Sequence, residues 1–253
     1  MNLEQARVVE NRLLAPGHRR MVLHAPAIAA AAGPGQFVHL RAHDSFHPLL
    51  RRPLSVARCD RSAGTLVLIY RVIGEGTTRL ADRRPGDWID LLGPLGRGFR
   101  LAPGLTPLLV AGGVGVAPLI FLAEECVRKG RAVEVLAGAR SASLLVGEED
   151  LRELGVKCCP ATDDGSRGYR GPVTGLLEGR LDGRALYASG PPGMLRQVQQ
   201  LAGEVPAQLC IEATMACGVG ACRGCACRAR GGAHRLVCTD GPVFDSHEVT
   251  FDG

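Results

Sequence analysis

From Leu105 to Ala123 the chain carries no charge. A run of that length has the dimensions of a membrane-spanning helix. Its own residues argue otherwise. Pro107, Gly112, Gly113, Gly115 and Pro118 interrupt it, and "EECVRK" follows at once. A buried strand "TPLLVA", a loop "GGVGVAP" and a helix "LIFLAEECVRKG" closed by Gly130 explain it better. The pattern then repeats. "AVEVLAG" reads as a strand with Glu134 in its middle, "EEDLREL" as a helix and "GVKCCPA" as another buried strand. "RALYASG" and "PPGMLRQVQQLAG" again give strand, glycine-rich turn and helix. Such alternation predicts a parallel sheet with helices on both faces, a Rossmann-like α/β domain.

The first part of the chain has a different period. "RRMVLHA", "GQFVHLRA", "PLSVARC", "TLVLIYRVI" and "DWIDLLG" are short β-branched runs. Pro16-Gly17, Gly33-Pro34-Gly35 and Pro85-Gly86 separate them. This spacing predicts an all-β unit, a small barrel, with "GPLGRGF" as its exit. From about Pro206 a cysteine-rich tail begins. The expected division is 1–98, 99–206 and 207–253.

Aromatic residues make up only 4% and the net charge of +5 is scattered, so a nucleic-acid surface is not expected. The N-terminus has no apolar signal segment, which places the expectation in the cytoplasm, away from a membrane. Ten cysteines in such a chain point to metal or redox chemistry.

"MACGVGACRGCAC" holds the densest of them. Cys217, Cys222 and Cys225 have the spacing C-x4-C-x2-C, the plant-type [2Fe–2S] pattern. That cluster takes four thiolates. Gly218, Gly220 and Gly224 let the backbone wrap close to the sulfurs. Cys227 lies one residue beyond Cys225 and is expected to point the other way, so Cys238 is the expected fourth ligand. A structural zinc knuckle is the alternative, although zinc favours paired C-x2-C.

Gly112, Gly113, Gly115 and Pro118 form a loop between strand and helix whose amides suit a pyrophosphate, or simply a tight turn. Gly190 and Pro191, in "SGPPGM", form a second such loop at another strand's end. "RRPLS" and "IYRVIGEGTT" offer an arginine fork, a hydroxyl and an exposed Gly-Thr turn; the plain reading is a strand pair and hairpin. His39, His43 and His47 are read as surface-loop histidines, and "TDDG" as a solvated turn.

In this order, "RRPLS", "YRVIGEGT", "GGVGVAPL", "SGPPGM", "MACGVGACRGCAC" and "VCTDGPVF" resemble the ferredoxin–NADP reductase superfamily. More closely, the whole chain is similar to the electron-transfer subunits of class 1B dihydroorotate dehydrogenase. The resemblance implies an N-terminal antiparallel β-barrel for FAD, a nicotinamide domain and a small C-terminal [2Fe–2S] module. It implies that Arg52, Pro53, Leu54 and Ser55 contact the flavin. Ile69, Tyr70 and Arg71 would border its ribityl and phosphate groups, and Gly76 and Thr77 its pyrophosphate. Many superfamily members carry an aromatic residue at Leu54 and a cysteine at Ser189, and this chain has neither.

The implied reaction passes electrons from the FMN of a separate dihydroorotate dehydrogenase catalytic subunit, through the cluster and FAD, to NAD as co-substrate. The implied assembly is a heterotetramer of two subunits of each kind, in pyrimidine biosynthesis. Other readings are an iron–sulfur flavoprotein subunit of a ferredoxin/NAD(P) or sulfur-reducing complex, a stand-alone NADH reductase, and a zinc-stabilised binding module.

Overall fold

The computed structural model describes residues 1–43, 45 and 47–251. Six strands come first: β1 (Asn2–Ala15), β2 (His18–His24), β3 (Phe37–Leu40), β4 (Arg52–Asp60), β5 (Thr65–Arg71) and β6 (Trp88–Leu95). They close into a barrel in the order β1-β2-β5-β4-β3-β6, every pair antiparallel. Then follow β7 (Thr106–Gly112), β8 (Glu134–Ala139), β9 (Lys157–Thr162), β10 (Tyr169–Arg170), β11 (Arg184–Ser189) and β12 (Ala207–Cys210). A small hairpin, β13 (Ala226–Arg228) and β14 (His234–Leu236), precedes β15 (Val243–Asp245). The helices are α1 (Pro26–Ala31), α2 (Glu75–Ala81), α3 (Val116–Arg128), α4 (Glu148–Glu153) and α5 (Pro192–Ala202).

The second sheet has the order β10-β9-β8-β7-β11-β12-β15. It is parallel except for β15, which runs antiparallel along β12. Its two faces follow the strand period of two. On β7, Leu108 and Val110 face a core shared with α5, while Leu109 and Ala111 face one shared with α3 and α4. Helices thus cover both faces.

No linker separates the barrel from this sheet. On β5, Leu66, Leu68 and Tyr70 fill the barrel, whereas Val67 and Ile69 join the core under α3. Phe121 of α3 reaches the barrel core in return. Charge adds to the seam. Arg58 of β4 meets Glu124 at 3.5 Å, Asp150 at 3.7 Å and Glu153 at 2.7 Å.

Several expectations need correction. The N-terminal unit is not all-β: α1 and α2 lie within it. Pro26 opens α1 at a position that needs no amide, and alanines carry it on. Gly76 and Thr77 are not an exposed turn but buried residues in the first turn of α2. The longest strand, β1, lacks the β-branched density of the others and was not among the expected runs. β9 is only half-buried, because beyond it lies only the two-residue β10. Glu134 opens β8 and is buried among Lys157, Arg180 and Arg184. β12 and β15, both within 207–253, complete the α/β sheet, so the cysteine segment leaves that sheet and returns to it. His39 is no surface residue: it lies in β3, fully buried.

Candidate functional site

A cleft of about 720 Å³ lies where the barrel meets the sheet. That is within the usual range for a small-molecule site. Arg52, Pro53, Leu54 and Ser55 of β4 line it, with Ile69, Tyr70 and Arg71 of β5 and Thr77 of α2. Val114 and Ala117 approach from the β7–α3 turn, and the stretch 210–215 leaving β12 forms another wall.

Gly76 does not line the cleft but makes room for Arg52. A Cβ on Gly76 would stand 2.0 Å from Arg52 Nε and 2.3 Å from Cζ. The guanidinium therefore lies flat against the start of α2, and its Nη1 donates to the Leu50 carbonyl. The Thr77 hydroxyl serves its own turn. It accepts from the amides of Ile73 at 2.9 Å and Gly74 at 3.1 Å and donates to the Gly74 carbonyl at 2.9 Å. Tyr70 turns its hydroxyl inward, donating to Asn11 Oδ1 at 3.4 Å; burial pushes that phenol up to about 12.

The two glycine loops touch each other at the C-terminal edge of the sheet, where ligands of such sheets bind. A Cβ on Gly115 would stand 2.2 Å from the Ser189 carbonyl oxygen. One on Gly112 would stand 2.7 Å from both Pro191 Cδ and Met194 Sδ. Gly113 adopts a φ of 55° and Gly190 one of 159°, in the region that favours glycine. Pro118 is the third residue of α3, where no intrahelical amide is required.

Beyond Met215 the chain enters the cysteine loop. Cys225 and Cys238 are buried, with their sulfurs 3.2 Å apart. Cys217 and Cys222 form a second, outer pair, Cys222 exposed. Backbone amides point at the sulfurs. Those of Val219 and Cys222 donate to Cys217 Sγ, that of Gly224 to Cys222 Sγ and that of Cys238 to Cys225 Sγ, each at 3.4 Å. Burial opposes ionisation of Cys217, yet the amides of Cys222 and Val219 outweigh it and bring the thiol down to about 7. Burial beside Cys225 pushes Cys238 up to about 11.

Among the described residues no three ligating side chains converge to hold a single metal ion. Two thiol pairs suit a cluster of two irons, each taking two cysteines, better than one tetrahedral zinc. Cys227 sits in β13 opposite Arg235, packed against the main core.

The sequence reading missed three parts of this site. The 211–214 stretch lies between a strand and the cysteines, and that position alone marks it as the bridge from cleft to loop. Phe37 stands in the cleft wall. His39, next to it in the chain but one, faces the cysteine loop.

A closed antiparallel barrel joined to a parallel sheet, with a cleft between them and a thiol loop at its end, defines a flavin-reductase type of electron-transfer protein. Residues 212–250 match the iron–sulfur cluster binding domain of dihydroorotate dehydrogenase B. The chain is 42% identical over 252 residues to the dihydroorotate dehydrogenase B (NAD(+)) electron transfer subunit of Bacillus caldolyticus, covering 97% of this chain and 98% of that one. It is 39% identical over 256 residues to that of Desulforamulus reducens, covering 98% of each. The chain belongs to this family of electron transfer subunits. Among solved structures, the NADH-dependent reduced ferredoxin-NADP oxidoreductase superposes with a TM-score of 0.87 at 29% identity, covering 98% of this chain and 90% of that one. The ferredoxin reductase of carbazole 1,9a-dioxygenase shares the fold at a TM-score of 0.69 and 24% identity, over 81% of this chain and 67% of that one.

Proposed function

We propose that the chain is the electron-transfer subunit of an NAD-linked dihydroorotate dehydrogenase, with FAD in the cleft and a [2Fe–2S] cluster on the thiol loop. The observation that carries this is continuity: the wall of the cleft, 210–215, runs directly into Cys217. When bound, FAD exchanges two electrons with NAD as hydride and single electrons with the cluster.

The chain's own residues do the rest. Arg52, laid against Gly76, holds a flavin phosphate or ring edge by a charge-assisted bond. Pro53, Leu54 and Ser55, in the cleft wall, would border the ring system, and Ile69, Tyr70 and Arg71 its chain. The backbone amides of the first turn of α2 would face the pyrophosphate at Thr77, whose hydroxyl is engaged in its own turn, while Gly76 behind it leaves the room that Arg52 occupies. The Gly112–Gly115 turn and the Gly190–Pro191 loop, packed on each other at the sheet edge, would receive the nicotinamide dinucleotide there. Cys217, Cys222, Cys225 and Cys238 would supply the four thiolates of the cluster.

Dihydroorotate is oxidised elsewhere, at the FMN of a catalytic subunit, two of each chain forming the complex in the cytoplasm. The exposed Cys222 edge is the proposed contact with that subunit.

A second reading has one observation in its favour, the 0.87 likeness to a ferredoxin-NADP oxidoreductase. The nearly full-length relatives at 42% identity favour the first. Isolation of the chain from its native cell decides between them. The expected companion is an FMN protein, and adding dihydroorotate to the pair should reduce NAD⁺. A companion that exchanges electrons with ferredoxin and leaves dihydroorotate untouched overturns the proposal.

A further inference from the structure

His39 is fully buried, and neither ring nitrogen has a hydrogen-bond partner. A buried imidazole left in this way costs on the order of 1–3 kcal/mol, so its position calls for a reason. Its surroundings supply one. On one side it stands opposite Pro53 of the cleft wall. On the other it presses on the cysteine loop, where a Cβ added to Gly218 would come within 2.6 Å of His39 Nδ1. The backbones of Arg51 and Cys217 also lie beside the ring. Gly218 adopts a φ of 72°, and this turn aims the amides of Val219 and Cys222 at Cys217 Sγ.

We propose that His39 is a positioning residue: its ring edge at Nδ1, set against Gly218, holds the Gly218 turn, and through it the two amides on Cys217, and so sets the reduction potential of the cluster. The chemistry is outer-shell. Amide donors to a ligating sulfur stabilise the more negative, reduced cluster, so a turn that relaxes and lengthens those bonds lowers the potential. The inference rests on Cys217 being a ligand, as proposed above.

Two variants of the flavin- and cluster-loaded chain test it. His39→Leu keeps most of the volume and removes both nitrogens. His39→Asn places an amide near the position of Nδ1. Potentiometric titration followed by electron paramagnetic resonance of the reduced cluster should show a lower midpoint and an altered spectrum in H39L. H39N should return both towards wild type, and the flavin midpoint should stay in place in either. A wild-type midpoint in H39L overturns the proposal. An equal shift in H39N does too, since the ring would then only fill space, and so does loss of the cluster from both variants. Failure of the ligand reading shows separately, as a cluster that survives Cys217→Ser.

Discussion

Arg52 and Gly76 work as one unit, and two substitutions separate charge from scaffold. Arg52→Ala should weaken FAD retention roughly tenfold to over a hundredfold, the effect of about 1.5–3 kcal/mol for a lost charge-assisted contact. Gly76→Ala should do much the same without touching the charge, because its Cβ would meet the guanidinium at 2.0 Å and drive it off the helix. Alanine also favours a helix over glycine by about 1 kcal/mol, so G76A should bind FAD poorly yet melt no lower than wild type as the apo-protein. Equilibrium dialysis and apo-protein melting check both; an R52A chain holding FAD like wild type refutes the assignment. Among the thiols, Ser in place of Cys217, Cys222, Cys225 or Cys238 should abolish or deeply alter the visible and paramagnetic spectra of the cluster. Cys227→Ser should leave them intact, since its side chain packs on the core. At this scale the cysteine spacing was legible because it is local in sequence. His39 was not: burial by a loop nearly 180 residues later is invisible in "GQFVHL".

The strand–turn–helix from β7 to α3 shows how an element earns its glycine. Any side chain at Gly115 meets backbone, not a movable side chain: Ser189 O at 2.2 Å and Gly190 N at 2.7 Å. Gly115→Val should push the turn off β11 and raise the KM for NADH at least tenfold. Flavin should remain bound, through the β4 and β5 contacts, which steady-state kinetics with flavin quantitation will show. Unchanged KM would mean that the turn lies outside the nicotinamide site. The elements themselves were largely readable, because β7, α3, β11 and α5 have strong apolar periods and glycine boundaries. What sequence period could not give was α2, whose "EGTTRLA" follows a strand with no apolar stripe, or the return of β15 to the edge of β12, which is a pairing of distant segments. The seam between barrel and sheet was equally hidden. Arg58 there compensates Asp150, which is 5% exposed, and Glu124. Arg58→Ala should cost about 1.5–3 kcal/mol, seen as a lower denaturant midpoint, because Glu124 loses its guanidinium and Asp150 is left with Arg20 at 3.8 Å.

At the scale of the whole molecule, the proposed function makes the chain half of a reaction path. Both ends of its own part are present, a cleft for flavin beside a sheet edge for nicotinamide, so the isolated, loaded chain should reduce an artificial dye with NADH. Dihydroorotate is a different demand. Its oxidation removes a proton from carbon and needs a positioned base beside a flavin. The cleft wall carries Glu212 and His47 besides Arg52, Pro53, Leu54 and Ser55, but on the proposed function its flavin face is committed to nicotinamide, which leaves dihydroorotate no place beside it. The isolated chain should therefore leave dihydroorotate unreacted, and an added FMN-bearing subunit should restore its coupling to NAD⁺. On the proposed function the thiol loop, leading from Met215 to the exposed Cys222 edge, is the route between them. Cys222→Ser should then stop dihydroorotate-dependent NAD⁺ reduction in the complex while keeping most of the NADH-to-dye rate. Stopped-flow spectra of flavin reduction from each side will separate the two. Dihydroorotate oxidation by the purified chain alone, or a C222S complex that loses both activities while still folded and flavin-loaded, would overturn this division of labour.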